Sequence, residues 1–251
     1  MQATQTNLSK VPALTLLFWI LKIAATTLGE TGGDAVTMSM DLGYLVGSAI
    51  FTALFVVMVI AQISARAFQP WLYWATIVAT TTLGTTLADF ADRSLGIGYA
   101  GGVALLSTLL AVSLFVWYRA AGTVSASSVT TRKAESYYWV TIMFSQTLGT
   151  ALGDWTADSQ GLGFGGGTLL FGGLLLLVVG AYYLTRVSRT VLFWIAFVLT
   201  RPLGAVVGDL LDKPVASGGI AISRYTASAV LLVFMAACLI IFRQDAASAK
   251  D

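Results

Sequence analysis

TLGETGGD at residues 27–34, TLGTTLAD at 82–89, TLGTALGD at 147–154 and PLGAVVGD at 202–209 are four versions of one phrase, and each closes on an aspartate. The spacings between Asp34, Asp89, Asp154 and Asp209 are 55, 65 and 55 residues. A tryptophan stands fifteen residues before each aspartate, at Trp19, Trp74, Trp139 and Trp194, and each follows an aromatic residue, Phe18, Tyr73, Tyr138 or Phe193. A phase kept over that length in every copy means that the repeated object is a whole helix rather than a loop motif. After each aspartate comes a short connection and a second apolar run, beginning near Gly43, Gly98, Gly163 and Ile220. The chain therefore reads as four tandem helix-hairpin units over 13–64, 71–118, 136–185 and 190–242.

The ten-residue excess in the middle spacing falls in the Ser/Thr-rich stretch AAGTVSASSVTTRKAES, and residues 120–135 are read as a linker. Two pseudo-symmetric halves of two units each follow from that placement. The expected helices run over 13–33, 44–64, 71–90, 98–118, 136–155, 164–185, 190–210 and 222–242.

Composition identifies the solvent. A chain that is 57% apolar and 10% charged, with mean hydropathy +0.83, lies far from the roughly 25% charged residues of soluble domains. Its 251 residues suffice for about eight spans of some 20 residues with short connections, as a single membrane domain over 1–251. The expected fold is thus an all-α polytopic membrane protein with eight transmembrane helices. The polar start MQATQTNLSK is followed after Pro12 by an apolar run without a clear cleavage site, which is read as the first membrane helix. With no histidine and only Cys238, the sequence points away from disulfides, thiolate clusters, His-ligated haem and His-based catalysis. The basic residues are too scattered for a nucleic-acid patch. No Ser/Lys, Ser/His or metalloprotease constellation stands out, and GFGGG at 163–167 has no strand before it to make a phosphate loop, so no enzyme and no cofactor is expected.

Orientation follows from the loop charges. Lys10, Arg66, Arg119, Arg132, Lys133, Arg186, Arg189, Arg243 and Lys250 lie in the termini, the linker and the connections between units, whereas only Arg93, Lys213 and Arg224 lie in connections within units. The positive-inside rule then places both termini in the cytoplasm and the acidic helix ends outside. Every unit has two spans, so all four point the same way, as parallel repeats about an axis along the membrane normal.

Four tandem two-helix units, each with an aromatic–Trp pair and an LGxxxGD-like end, resemble the bacterial and archaeal membrane-protein family described as a repeat of unknown function, DUF347. The resemblance runs from Trp19 to about Arg224, with two departures, Ala88 in place of glycine and Pro202 in place of threonine. It implies a multi-pass protein of the bacterial or archaeal inner membrane and says little about activity.

The residues themselves say more. Nine of the twelve acids lie in the four motifs and the turns that follow, and eight of them form pairs: Glu30 with Asp34, Asp89 with Asp92, Asp154 with Asp158, and Asp209 with Asp212. A separation of three or four puts both members on one helix face where the helix continues, so eight carboxylates could converge on a central axis. Asp41, in a turn, is expected to be solvated. Intramembrane carboxylates are by default ion or proton sites, and oxygen-only ligation suits hard cations such as Mn, Mg or Ca. The functional expectation is a divalent-cation transporter, with manganese as substrate, export as direction and protons as coupling ion. Beside it stands a non-transporting membrane scaffold or sensor, in which the aspartates sit at an interface and the motif only packs helices. Gly29 with Gly33, Gly149 with Gly153 and Gly204 with Gly208 are GxxxG pairs, and Gly84 with Ala88 is their small-residue equivalent. They permit either close packing or local unwinding that frees carbonyls for a cation. The four tryptophans are read as a cytoplasmic interfacial belt. Lys22 and Arg201 occur in the first and last units alone, and a closed ring of units would let both approach Glu30 or Asp209 as tethered counter-ions.

Overall fold

The computed structural model describes residues 9–247; Lys250 and most of the polar N-terminal stretch lie outside the described residues. The described residues form eight long α-helices: α1 Leu16–Asp34, α2 Gly43–Ser64, α3 Pro70–Asp89, α4 Gly98–Ala121, α5 Arg132–Asp154, α6 Gly163–Leu184, α7 Arg189–Asp212 and α8 Arg224–Ile241. Their starts have local causes. The Thr15 side chain accepts from the Phe18 N–H, the Thr131 side chain accepts from the Ala134 N–H, and Pro70 opens α3 where its missing N–H costs nothing. Thr131 explains why α5 begins before residue 136: the cap draws Arg132–Glu135 into the helix. Gly122, at φ +72, ends α4.

Of the eight, α2, α4, α6, α7 and α8 are long and apolar enough to cross a membrane. The remaining three, α1, α3 and α5, are diluted by threonines, glycines and charged residues. They are also inner helices. The first helices of the four units form a closed ring in which α1 touches α3 and α7, and α5 touches α3 and α7.

The second helices lie outside this ring, and their placement corrects the expected hairpin. The main partner of α2 is α3, that of α4 is α5, that of α6 is α7, and α8 closes the circle on α1. Each outer helix thus packs on the first helix of the following unit. The connection from Asp34 to Gly43 is long enough to step across, since adjacent helix axes are only about 8–10 Å apart.

A second unexpected feature sits in those connections. Ala35–Ser39, Phe90–Ser94 and Trp155–Ser159 continue their helices as a single π-helical turn. In the fourth unit the α-helix instead runs on to Asp212, and the chain then folds back so that the Ile220 and Ile222 N–H groups donate to the Leu210 and Leu211 carbonyls at 2.8 Å.

The two ends of the bundle differ. At one end the N-terminal segment, the linker and the C-terminal segment meet: the Lys10 N–H donates to the Val129 carbonyl at 3.2 Å, the Ala247 N–H donates to Val11 at 2.7 Å, and Lys10 pairs with Glu135 at 2.7 Å. Just inside lies an aromatic plug. Phe18 packs on Trp74, Tyr73 on Trp139 and Phe193 on Trp194, and the Tyr73 and Tyr138 hydroxyls are 2.6 Å apart. Trp74, Trp139 and Trp194 are buried and Trp19 is half-buried against them, so in place of the expected interfacial belt they form an interior layer. Indole N–H groups find partners within the protein, Trp74 with Gln244 and Trp194 with the Val124 carbonyl, which removes their reason to reach for headgroups. The motif aspartates lie at the opposite end.

Candidate functional site

The ring is held in register by its small residues. A Cβ at Gly84 would stand 2.9 Å from the carbonyl carbon of Gln146, and one at Gly29, Gly149 or Gly204 would run into Thr81, Arg201 or Thr26. Thr26, Thr81, Gln146 and Arg201 are equivalent positions in the four units, so every unit presents one glycine to the same position of the next. One helical turn further on the pattern recurs, with Gly33 against Thr85, Gly153 against Ala205 and Gly208 against Glu30. Ala88, the departure from glycine, is buried at the corresponding place. Close packing accounts for the motif glycines, whose helices stay regular through them.

This register brings the inward residues of the four helices to common levels. Arg201 comes from α7, is fully buried, and touches all three other inner helices. Its guanidinium donates to the Thr26 carbonyl at 3.2 Å, to Glu30 Oε2 at 3.1 Å and to the Thr81 carbonyl at 3.3 Å, and it also reaches the Thr85 and Thr150 hydroxyls. The planar fork of five N–H donors suits such a hub. Pairing with Glu30 agrees with the counter-ion expected of Arg201.

Lys22 does not follow that expectation. Its ammonium donates to Gln146 Oε1 at 3.2 Å and lies 4.1 Å from the Phe197 ring centre, and no carboxylate pairs with it among the described residues. It stands two turns below Glu30 on the same helix, with the Arg201 level between them.

Above Arg201 the carboxylates gather, though not all eight. One oxygen from each of Glu30, Asp34 and Asp209 falls within 4.8 Å of the others. Ligands of one hard cation stand at about 2.0–2.6 Å from it, so such a spacing is open to a shared ion. Lys213 Nζ lies 2.6 Å from Asp34 Oδ2 and 3.1 Å from Asp209 Oδ1. Across the ring, Arg93 joins Asp89 at 3.0 Å to Asp154 at 3.4 Å. Arg224 reaches Asp34 at 3.6 Å and Asp212 at 3.3 Å.

The second members of the pairs scatter. Asp212 stays in the network through Arg224, whereas Asp92 is buried against Gly102 of α4 with neither oxygen hydrogen-bonded. Asp158 is exposed and accepts from the Tyr99 hydroxyl at 3.0 Å, and Asp41 is exposed as expected. The π-helical turn is the reason. It adds a residue to the local turn, which re-aims the short carboxylates of Asp92 and Asp158, while the longer side chain of Arg93 in the same turn still reaches back to Asp89 and Asp154.

Arg93 and Lys213 were absent from the expected site, although a signal for them exists. Both stand four residues after a motif aspartate, at equivalent positions of the two halves, where the other units have Met38 and Asp158. Burial would lower the Lys213 ammonium, but Asp209, Asp34 and Asp212 outweigh it and hold the group above its ordinary value. Burial raises the Asp92 carboxyl, with Arg93 opposing.

A family model described as Repeat of Unknown Function (DUF347) matches residues 17–68, 72–123, 137–188 and 192–243. The chain belongs to the DUF347 family. No curated protein and no solved structure matches it. In the DUF347 repeats of this chain, the first helix builds the ring and ends on the carboxylate, and the second helix covers the neighbouring repeat. Repeats 2 and 4 add the bridging cation that repeats 1 and 3 lack.

Proposed function

We propose that this protein is an eight-span transporter of a hard divalent cation, with manganese as the reference substrate. Both termini lie in the cytoplasm and the carboxylate end faces outward. Export in exchange for protons is the direction this reading assigns. The observation that carries it is a charge balance. At the carboxylate end of the ring, the six buried carboxylates of Glu30, Asp34, Asp89, Asp154, Asp209 and Asp212 pair, among the described residues, with four cations, Arg93, Arg201, Lys213 and Arg224, in three separate groups, which together leave a formal excess of two negative charges, one beside Asp34 and Asp209 and one beside Asp89 and Asp154. One divalent cation, or two protons, restores neutrality, and these are the two ligands an exchanger must alternate between. Asp34 Oδ1, buried and without a partner, is free to ligate.

A scaffold or sensor is the second reading, and the glycine register favours it, since packing alone explains the glycines. Manganese flux into proteoliposomes separates the two. Wild type should carry manganese across a pH gradient, and Asp34→Asn and Asp209→Asn should lose most of that flux while remaining folded by circular dichroism and thermal unfolding. Flux that is absent in wild type, or equal in all three proteins, overturns transport and leaves the scaffold.

A further inference from the structure

Lys213 has an unusual setting for a bridging cation. Its backbone is fixed on both sides: its N–H donates to the Asp209 carbonyl at 2.9 Å, and its carbonyl accepts from the Ala221 N–H at 3.0 Å. Gly219 packs so closely on that carbonyl that a Cβ there would run into it. The side chain, by contrast, has a flexible four-carbon stem and is 16% exposed at the carboxylate end of the bundle. The ammonium can therefore leave without moving the backbone. The place it would leave is bounded by Asp34 and Asp209, both members of the three-carboxylate group, with Glu30 beneath. Beside it points Asp34 Oδ1, with no partner in a residue only 1% exposed. Two carboxylates already on the ammonium and one free oxygen make a position larger in ligand capacity than the ammonium uses, since a hard cation takes six or more oxygens.

We infer that the Lys213 ammonium occupies the position of the cation that the Glu30–Asp34–Asp209 group binds, and is its tethered competitor. An entering cation must displace it outward, and the returning side chain helps expel the cation again. Lys213 thereby lowers affinity and raises release. Arg93 is the internal control. It holds the equivalent place in the other half but bridges Asp89 and Asp154, outside the three-carboxylate group. The inference rests on the cation-site reading given above, but the presence of the tether can be measured independently of manganese.

Two measurements on the purified full-length protein in detergent test it. The first is manganese affinity at pH 7 for wild type, Lys213→Gln and Arg93→Gln. Lys213→Gln should bind at least about tenfold more tightly than wild type, and Arg93→Gln, which removes the same charge outside the three-carboxylate group, should gain several-fold less than Lys213→Gln, an equal gain in both overturning the competitor. Equal or weaker binding in folded Lys213→Gln overturns the competitor. The second is chemical rescue. Lys213→Ala should gain thermal stability with millimolar propylammonium but not with equal sodium, and Lys213→Ala/Asp34→Asn should gain none. No gain in Lys213→Ala overturns the assignment of an ammonium position, and if that variant does not fold, Lys213→Gln is titrated with methylammonium and read in the same way. Should no variant bind manganese while propylammonium still rescues, the divalent substrate fails and the tethered ammonium stands.

Discussion

The inner and outer helices of this protein are nearly equal in length, yet they solve opposite problems. The most apolar stretch of α7 is nearly as hydropathic as those of α4 and α6, but most of it is buried, whereas α2, α4, α6 and α8 leave long rows of Leu, Val, Ile and Phe uncovered. Apolarity separates the layers for α1, α3 and α5, which fall short of a membrane span, but by itself it would put α7 outside. In lipid, the outer face demands only side chains that dissolve in hydrocarbon, while the inner face must pack tightly and satisfy every polar group. Glycine, threonine and paired charge mark the inner helices for that reason. Threonines such as Thr76, Thr80 and Thr82 donate back to the carbonyl four residues earlier and so remain satisfied inside the bundle.

The sharpest way to break this contrast is to remove the hub of the inner ring. Arg201→Met leaves Glu30 buried and unpaired, and thermal unfolding should show a loss of about 3–5 kcal/mol, partly restored by adding Glu30→Gln. A near-neutral Arg201→Met would mean that packing alone holds the ring.

Glycine register comes next. Gly204→Ala meets the Thr26 backbone as well as its side chain and should cost about 1–3 kcal/mol through overpacking. The same replacement at outer Gly173, which has open space around it, should be neutral or stabilising by up to about 1 kcal/mol from helix propensity. If Gly173→Ala proves as harmful as Gly204→Ala, the outer face of α6 is packed against something.

Asp92 lies on the seam between the inner and outer layers, and its replacement should be stabilising, opposite in sign to Gly204→Ala. Its carboxyl is raised by burial, so the folded protein favours the protonated form while the unfolded chain ionises at its ordinary, lower value. The group therefore costs nothing at pH below that ordinary value and destabilises progressively as pH rises through it. Asp92→Asn should raise the melting temperature at pH 7 and have little effect at pH 4. An equal shift at both values would assign the gain to packing against Gly102 instead of charge.

Much of the architecture was legible before any coordinates. Four units and eight helices came from a phrase repeated with one phase, because periodicity is a local property of the chain, whereas limits moved where a cap acts, as at Thr131 before α5. The fourth unit shows where such reading stops. Its motif differs from the others by only a few residues, and the spacing of Lys213 from Asp209 marks a cation near the carboxylates, but that this cation joins Asp34 of the first unit to Asp209 follows only from ring closure.

Sequence by itself determined the helices, their order and the levels at which Lys22, Arg201, Glu30 and Asp34 stand. Tertiary structure alone decided that Glu30, Asp34 and Asp209 meet while Asp92 and Asp158 turn away, that Lys22 faces Gln146 and not an acid, and that the tryptophans point inward. Those outcomes depend on ring closure, which joins α1 to α7 across more than 150 residues, and on π-helical turns that re-aim the carboxylates of Asp92 and Asp158. Neither leaves a mark in local periodicity, because both arise from how one helix meets another.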